Sequence, residues 1–317
     1  MVQKGAVGIA VALASRASRI GDTEITIECV KTLMNLASHM ETKRAMLSEG
    51  ALEVLISSYS SGQSDLQLNA LRAIASLSVG DGVEEDIVKR GVLGALIPAA
   101  SGDGAAAGTE LQLQALNSLM NLCAASGTVK SSLVQGGAVE ALCKALFAAG
   151  DLGVQAAKAL ANLCVGRDIA AEIARRGAAD ALMKSVASEP HVPGGIREHS
   201  IKALSYLCSG DEDGRGALVS LGVVDTLLSV TNEATSAGGA ESVKAEALRG
   251  LLHLSFCQQG KQILAQQGAM ASGAAVMITF AGTRGEMSLF VFGEGIGDFL
   301  LHRGCECDPG WEDVSRL

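Results

Sequence analysis

The sequence predicts an all-α fold in which short helices stack into an elongated solenoid. Two patterns recur along most of the 317 residues: a helix-period apolar run, and a glycine 15 or 16 residues later that opens a second apolar run. Successive copies are 41 to 47 residues apart, which is the period of helical-pair and helical-triplet repeats. Repetition at this period favours one solenoid over the two or three compact domains, roughly, that length alone would suggest.

Composition agrees with stacked helices. Hydrophobic residues make up 48% of the chain and aromatic residues 3%, so the core must be built from Ala, Leu, Val and Ile. Only four prolines occur, as long helical arrays require. The net charge of −9 argues against nucleic-acid binding. The sequence has no run of about 20 apolar residues, so membrane insertion is not predicted.

The longer helix of each copy is defined by one aligned position. Its occupants are Asn35, Ser76, Asn121, Asn162, Tyr206 and His253. The next residue is Leu in all six copies, and the residue two places earlier is Leu or Ile. Residues three and six places earlier are small or slender. This spacing gives one broad apolar helix face that a neighbouring helix can approach closely.

A glycine marks the boundary between two shorter helices in each copy. These glycines are Gly50, Gly91, Gly137, Gly177, Gly222 and Gly268, and Gly5 is predicted to be a seventh. Glycine at such a place is typical of a helix end with positive φ, followed at once by a new helix. Each unit therefore has a short first helix, a turn, a second helix, a loop and a longer third helix.

These motifs resemble the armadillo repeat family. Its third-helix signature is similar to AKALANLC (Ala157–Cys164) and LNSLMNLC (Leu116–Cys123), and its glycine turn to EGALEVL, QGGAVEAL and RRGAADAL. The resemblance implies a right-handed α-solenoid of armadillo repeats, an α-α superhelix. HEAT repeats are the nearest rival, but they lack this glycine between two short helices.

The solenoid is expected to span 1–275, with about six repeats plus a partial N-terminal one. Residues 1–19 look like a second helix without a first, which favours a fragment or an incomplete gene model. Gly-, Ser- and Pro-rich loops are expected at Ser101–Glu110, Ser188–Arg197 and Thr231–Ser242, and Pro98 is predicted to end its helix. Residues 276–317 are expected to form a degenerate cap or a disordered C-terminal tail.

A polar stripe on the third helices is the candidate binding surface. The position four before the aligned one reads Lys31, Arg72, Asn117, Lys158, Lys202 and Arg249. Residues four apart share a helix face, so a cation lies beside an amide, hydroxyl or imidazole in most copies. A merely solvated helix face is one alternative, because Lys and Arg are good helix formers. Hydrogen bonding of the Asn side chains to the preceding repeat's backbone is another, and it is compatible with binding.

The armadillo resemblance implies that the third helices line a concave groove. The groove would be similar to the catenin type rather than the nuclear-import (importin-α) type, because import adaptors carry Trp where this chain has the cations. It implies a non-enzymatic scaffold or adaptor that binds extended acidic or phosphorylated segments of other proteins. The alternatives are the substrate-recruiting region of a larger protein such as a U-box ubiquitin ligase, or a cytoskeletal or axonemal repeat protein.

The sequence predicts neither catalysis nor a cofactor. Five histidines are scattered, and G-x-S-x-G, H-E-x-x-H and phosphate-cradling motifs do not occur. Cys123, Cys164 and Cys208 share one repeat position that Ala or Ser fills elsewhere, so they are predicted to be small core residues. Unpaired cysteines fit the cytoplasm or the nucleus. Cys305 and Cys307 form a lone C-x-C, which is poor evidence for a metal site, and none is predicted.

Overall fold

The computed structural model describes residues 2–80, 82–103, 109–188, 195–232, 240–268, 276–279, 287–293 and 296–303. Eighteen described helices precede three described strands. The six longer helices predicted from the aligned positions are α2 Thr23–Ala37, α5 Ser64–Leu77, α8 Thr109–Cys123, α11 Asp151–Leu163, α14 Ile196–Cys208 and α17 Ala240–Leu254. They pack in order, α2 on α5, α5 on α8, and so on to α17, as one continuous row.

A first and a second helix precede each third helix from α5 to α17, and α2 is preceded by α1 alone. The first helices are α3 Met40–Ser48, α6 Glu84–Lys89, α9 Gly127–Gln135, α12 Arg167–Arg175, α15 Glu212–Ser220 and α18 Gln258–Gly268. The second helices are α1 Val2–Ile20, α4 Ala51–Ser60, α7 Leu93–Ser101, α10 Ala138–Ala145, α13 Ala178–Ala187 and α16 Val223–Asn232. The described part of the chain therefore holds five complete three-helix units, preceded by α1 and α2 and followed by α18. The prediction of an all-α solenoid is confirmed for this stack.

The predicted glycine turns are present between first and second helices. Gly50, Gly91, Gly137, Gly177 and Gly222 all have positive φ, between 79° and 92°. The sequence prediction was wrong at Gly5, which lies inside α1 because that helix runs without a break from residue 2 to residue 20. It was also wrong at Pro98, which lies inside α7. Proline has no N–H to donate to the carbonyl of Gly94, yet α7 continues for three residues beyond it, to Ser101.

The core follows the third-helix pattern. The Leu or Ile two places before each aligned position is buried in all six helices: Leu33, Ile74, Leu119, Leu160, Leu204 and Leu251. The small residues allow close packing, since a Cβ on Gly250 would lie 2.7 Å from Cδ1 of Leu227. Cys123, Cys164 and Cys208 are fully buried, as predicted, and burial raises the pKa of the Cys123 thiol to about 12.

Buried lysines fasten the end of a third helix within two of the units. Nζ of Lys130 on α9 donates to the backbone carbonyls of Asn162 (2.8 Å) and Val165 (2.6 Å), just at and beyond the end of α11. Lys43 on α3 donates in the same way to the carbonyl of Val79. Carbonyls at a helix C-terminus have no intrahelical partner, and a cation suits the negative end of the helix dipole. No short pattern in the sequence indicates these contacts.

The chain beyond α18 forms three described strands, β1 Val276–Thr279, β2 Met287–Gly293 and β3 Ile296–Arg303. They form an antiparallel sheet in the order β1-β2-β3. Strands were not predicted for this part of the chain. Parts of the predicted soft loops, at 104–108, 189–194 and 233–239, lie outside the described residues, as do residues 280–286, 294–295 and 304–317 of the predicted cap or tail.

Candidate functional site

The candidate site is the polar row on the six third helices, and the structure places its members at matching positions of helices that pack in sequence. Eleven of the twelve predicted residues are exposed or half-buried: Lys31, Asn35, Arg72, Ser76, Asn117, Asn121, Lys158, Asn162, Lys202, Tyr206 and Arg249. His253, the twelfth, is buried with 9% exposure. The row is therefore continuous across α2, α5, α8, α11 and α14 and reaches only Arg249 on α17.

Burial removes His253 from the surface that a ligand could touch. The ring of His253 lies near that of Phe256, at a centroid distance of 6.4 Å and an interplanar angle of 50°. Burial, followed by the charges of Arg167, Arg215 and Arg249, lowers the pKa of His253 to about 4. Its predicted role as a contact residue therefore does not fit the structure.

The asparagines of the row join neighbouring units. Nδ2 of Asn121 donates to the carbonyl of Ala75 on the preceding third helix (3.3 Å), and Nδ2 of Asn162 donates to that of Met120 (3.4 Å). The expected alternative, hydrogen bonding to the preceding repeat, is thus present at both positions. No described residue donates to either Oδ1 atom, so each side chain keeps its acceptor for another group.

Three of the five cations in the row are already paired with carboxylates. Lys31 contacts Glu28 at 2.8 Å, Arg72 contacts Glu110 at 3.1 Å, and Arg249 contacts Glu246 at 2.9 Å. Two of these carboxylates, Glu28 and Glu246, lie one turn earlier on the same helix as their cation, while Glu110 belongs to the next third helix. Sequence spacing identified the cations but not their neutralisation.

Lys158 and Lys202 remain unpaired within the described part of the chain. They lie on the adjacent helices α11 and α14, and both are half-buried. His199 lies one turn before Lys202, and its pKa is lowered by burial and then by the charges of Lys158 and Lys202, which opposes the effect of Glu198. The net positive charge of the row is therefore concentrated at the centre of this face, between α11 and α14.

The described residues were also compared with the requirements of a metal site and of a membrane-spanning helix. No group of three His, Cys, Asp or Glu side chains among them could hold a metal ion. No single described helix is both long and apolar enough to cross a membrane; one pair, Glu212–Ser220 with Val223–Thr231, satisfies length and composition together but is bent by 75°.

Comparisons with known proteins bear on the fold. No protein-family model matches the chain, and no curated protein matches it. Among solved structures, an engineered protein is 25% identical with a TM-score of 0.66, covering 79% of this chain and 96% of that one. Computationally designed armadillo repeat proteins for modular peptide recognition give 20% identity and a TM-score of 0.67, covering 78% and 99% of the two chains.

A further designed armadillo repeat protein, solved in complex with the peptide (KR)4, is 19% identical with a TM-score of 0.67 and covers 77% of this chain and 98% of its own. Together with the helix order, these structures establish an armadillo-type repeat solenoid.

Proposed function

We propose that this chain is a non-enzymatic interaction scaffold that binds an extended acidic or phosphorylated segment of another protein along its third-helix face. The observation that carries the proposal is the row of cations and amides on consecutive packed helices. Its central lysines, Lys158 and Lys202, meet no carboxylate within 4 Å in the described chain. Unpaired cations on an ordered face are suited to charge-assisted hydrogen bonds with carboxylates or phosphates.

The dimensions of the row suit an extended chain. Helices that pack about 8–10 Å apart make six third helices span on the order of 50 Å. An extended peptide rises about 3.3 Å per residue, so roughly 15 residues fit along the row. The Oδ1 atoms of Asn121 and Asn162 accept no hydrogen bond from the described residues. They can therefore accept from backbone N–H groups of a partner, whatever its side chains are.

The positive charge of the row favours acidic peptides over basic ones. The designed armadillo repeat protein solved with (KR)4 takes a basic peptide. Lysines and arginines fill the corresponding row here, and like charges across an interface are repulsive. The only Trp of this sequence, Trp311, lies outside the repeats. The row therefore has no tryptophan rings against which lysine side chains of a partner could pack. Both observations support a catenin-like groove over one that binds basic import signals.

Binding of peptide libraries tests this function. Fluorescently labelled acidic and phosphorylated 15-residue peptides should bind the chain, and (KR)4 should not. Reversing both Lys158→Glu and Lys202→Glu should weaken binding at least about tenfold, because two attractions become repulsions that together exceed about 1.4 kcal/mol. Lys184→Glu, an exposed lysine on the second helix α13, makes a matched control that should leave binding unchanged. Unaltered binding by the double variant would refute the proposed surface.

A further inference from the structure

We propose that the acidic determinant of the partner is one phosphorylated side chain seated between Lys158 and Lys202, with uncharged residues on both sides of it. This inference rests on the proposed function and narrows it to a position and a chemical class.

Because the other cations of the row are already paired, the position at which an acidic group of a partner is attracted most strongly is restricted. At Lys31, Arg72 and Arg249, a carboxylate of the chain itself lies 2.8–3.1 Å from the cation. An acidic group of a partner would have to displace or adjoin that carboxylate, which removes most of the attraction. The outer parts of the row are therefore close to neutral, and they favour uncharged partner residues.

The centre of the row differs in having two cations and no paired carboxylate. The equivalent position on α8 is Asn117, so the positive charge begins at α11. Lys158 and Lys202 stand at the same repeat position of the adjacent helices α11 and α14, whose axes are expected to be about 8–10 Å apart. Two lysine side chains that extend from such neighbours can reach one group between them.

A third donor lies beside the two lysines. The imidazole of His199 is half-buried next to Val154: a Cβ built on Gly195 would lie 3.5 Å from Cδ2 of His199 and 3.8 Å from Cγ1 of Val154. Both lysines act electrostatically on this imidazole, which places all three groups in one neighbourhood. Glu198 is the one carboxylate that acts on the same imidazole, and it is exposed.

These groups match a phosphate better than a carboxylate. A phosphorylated side chain carries about −1.5 to −2 charges and three acceptor oxygens, whereas a carboxylate carries one charge and two oxygens. One phosphate can neutralise both ammonium groups and still accept from the imidazole N–H. A single Asp or Glu would leave one ammonium group unmatched.

The experiment uses the full chain, immobilised, with four libraries of 15-residue peptides whose flanking positions are randomised among uncharged residues. The central position is phosphoserine, serine, glutamate or a Glu–Glu pair. We expect the phosphoserine library to be retained at least about tenfold more than the serine library and severalfold more than the Glu–Glu library. Lys158→Gln or Lys202→Gln should abolish that preference, and circular dichroism should show that each variant keeps its helices.

The matched control is Lys184→Gln, which removes an exposed lysine of the second helix α13, outside the row. Its retention of the phosphoserine library should stay within about twofold of the wild type. Equal loss in Lys184→Gln and Lys158→Gln, or equal retention of the Glu–Glu and phosphoserine libraries, would overturn this inference while leaving an acidic-peptide scaffold in place. Retention of no acidic or phosphorylated library above the serine library would instead overturn the proposed function itself.

Discussion

The buried imidazole of His253 should make the stability of the fold depend on pH in a defined window. Its pKa is lowered to about 4 from the ordinary value of 6.5, first by burial and then by Arg167, Arg215 and Arg249. Between these values the unfolded chain binds a proton that the folded chain does not. The free energy of unfolding therefore falls as the pH falls from about 6.5 to about 4.

The size of the effect follows from the shift. One pKa unit corresponds to about 1.36 kcal/mol, so the contribution lost is about 2 kcal/mol at pH 5 and about 3 kcal/mol at pH 4. His253→Gln replaces the titrating ring by a neutral amide, and its stability should lack this part of the pH dependence. Carboxylates that titrate in the same range are common to both proteins and cancel in the comparison.

Two measurements check the prediction. Urea unfolding of the wild type and of His253→Gln at pH 7.5, 6 and 5 should give a difference in unfolding free energy that shrinks by about 2 kcal/mol at the lowest pH. An NMR titration of the ring Cε1–H, assigned by its loss in the variant, should show no protonation of the folded protein above pH 5. A titration midpoint near 6.5, or identical pH dependence in both proteins, would show that the reasoning about burial is wrong.

Three further predictions concern the buried lysine Lys130, the glycine turn at Gly137 and the carboxylate of Glu198. Lys130→Met should lower the free energy of unfolding by about 1–3 kcal/mol, because it removes two charge-assisted hydrogen bonds to carbonyls at the end of α11; Lys184→Met, on the surface, should cost less than about 0.5 kcal/mol in the same urea titration. Gly137→Ala should destabilise by about 1–2 kcal/mol because its φ is 92°, whereas Gly94→Ala, in a helix with open space around it, should stabilise by about 0.5–1 kcal/mol. Glu198→Gln should strengthen binding of acidic peptides about two- to threefold by anisotropy, and weaker binding would contradict the assigned centre of charge.

The stack of helices could be predicted from the sequence because its signals are local and repeated. The apolar spacing around Asn121 and the glycine at Gly137 each act within one unit and recur at matching places in the other units. The same locality allowed the row of Lys and Asn side chains to be predicted, since residues four apart share a helix face.

What sequence spacing did not provide was the partner of each side chain. Lys130 looks like an exposed helix residue until the fold brings it to carbonyls 32 and 35 residues later in the chain. Arg72 is neutralised by Glu110, which lies 38 residues away and belongs to the next unit. Burial of His253 likewise depends on how α17 meets its neighbours. Such contacts depend on tertiary packing, which no short pattern encodes.

A surface ion pair between units occurs at two described interfaces that are separated by one interface without it. Arg90 lies 2.5 Å from Glu53, and Arg176 lies 3.0 Å from Glu140 in the same geometry, while Gly136 fills the arginine position in between. Construction by duplication of two-unit blocks would leave this alternation. A shortened chain that lacks α6–α11 would bring Arg176 opposite Glu53 and restore the pair, whereas one that lacks only α6–α8 would bring Gly136 there. Removal of these two units therefore keeps the ion pair, and removal of one of them loses it.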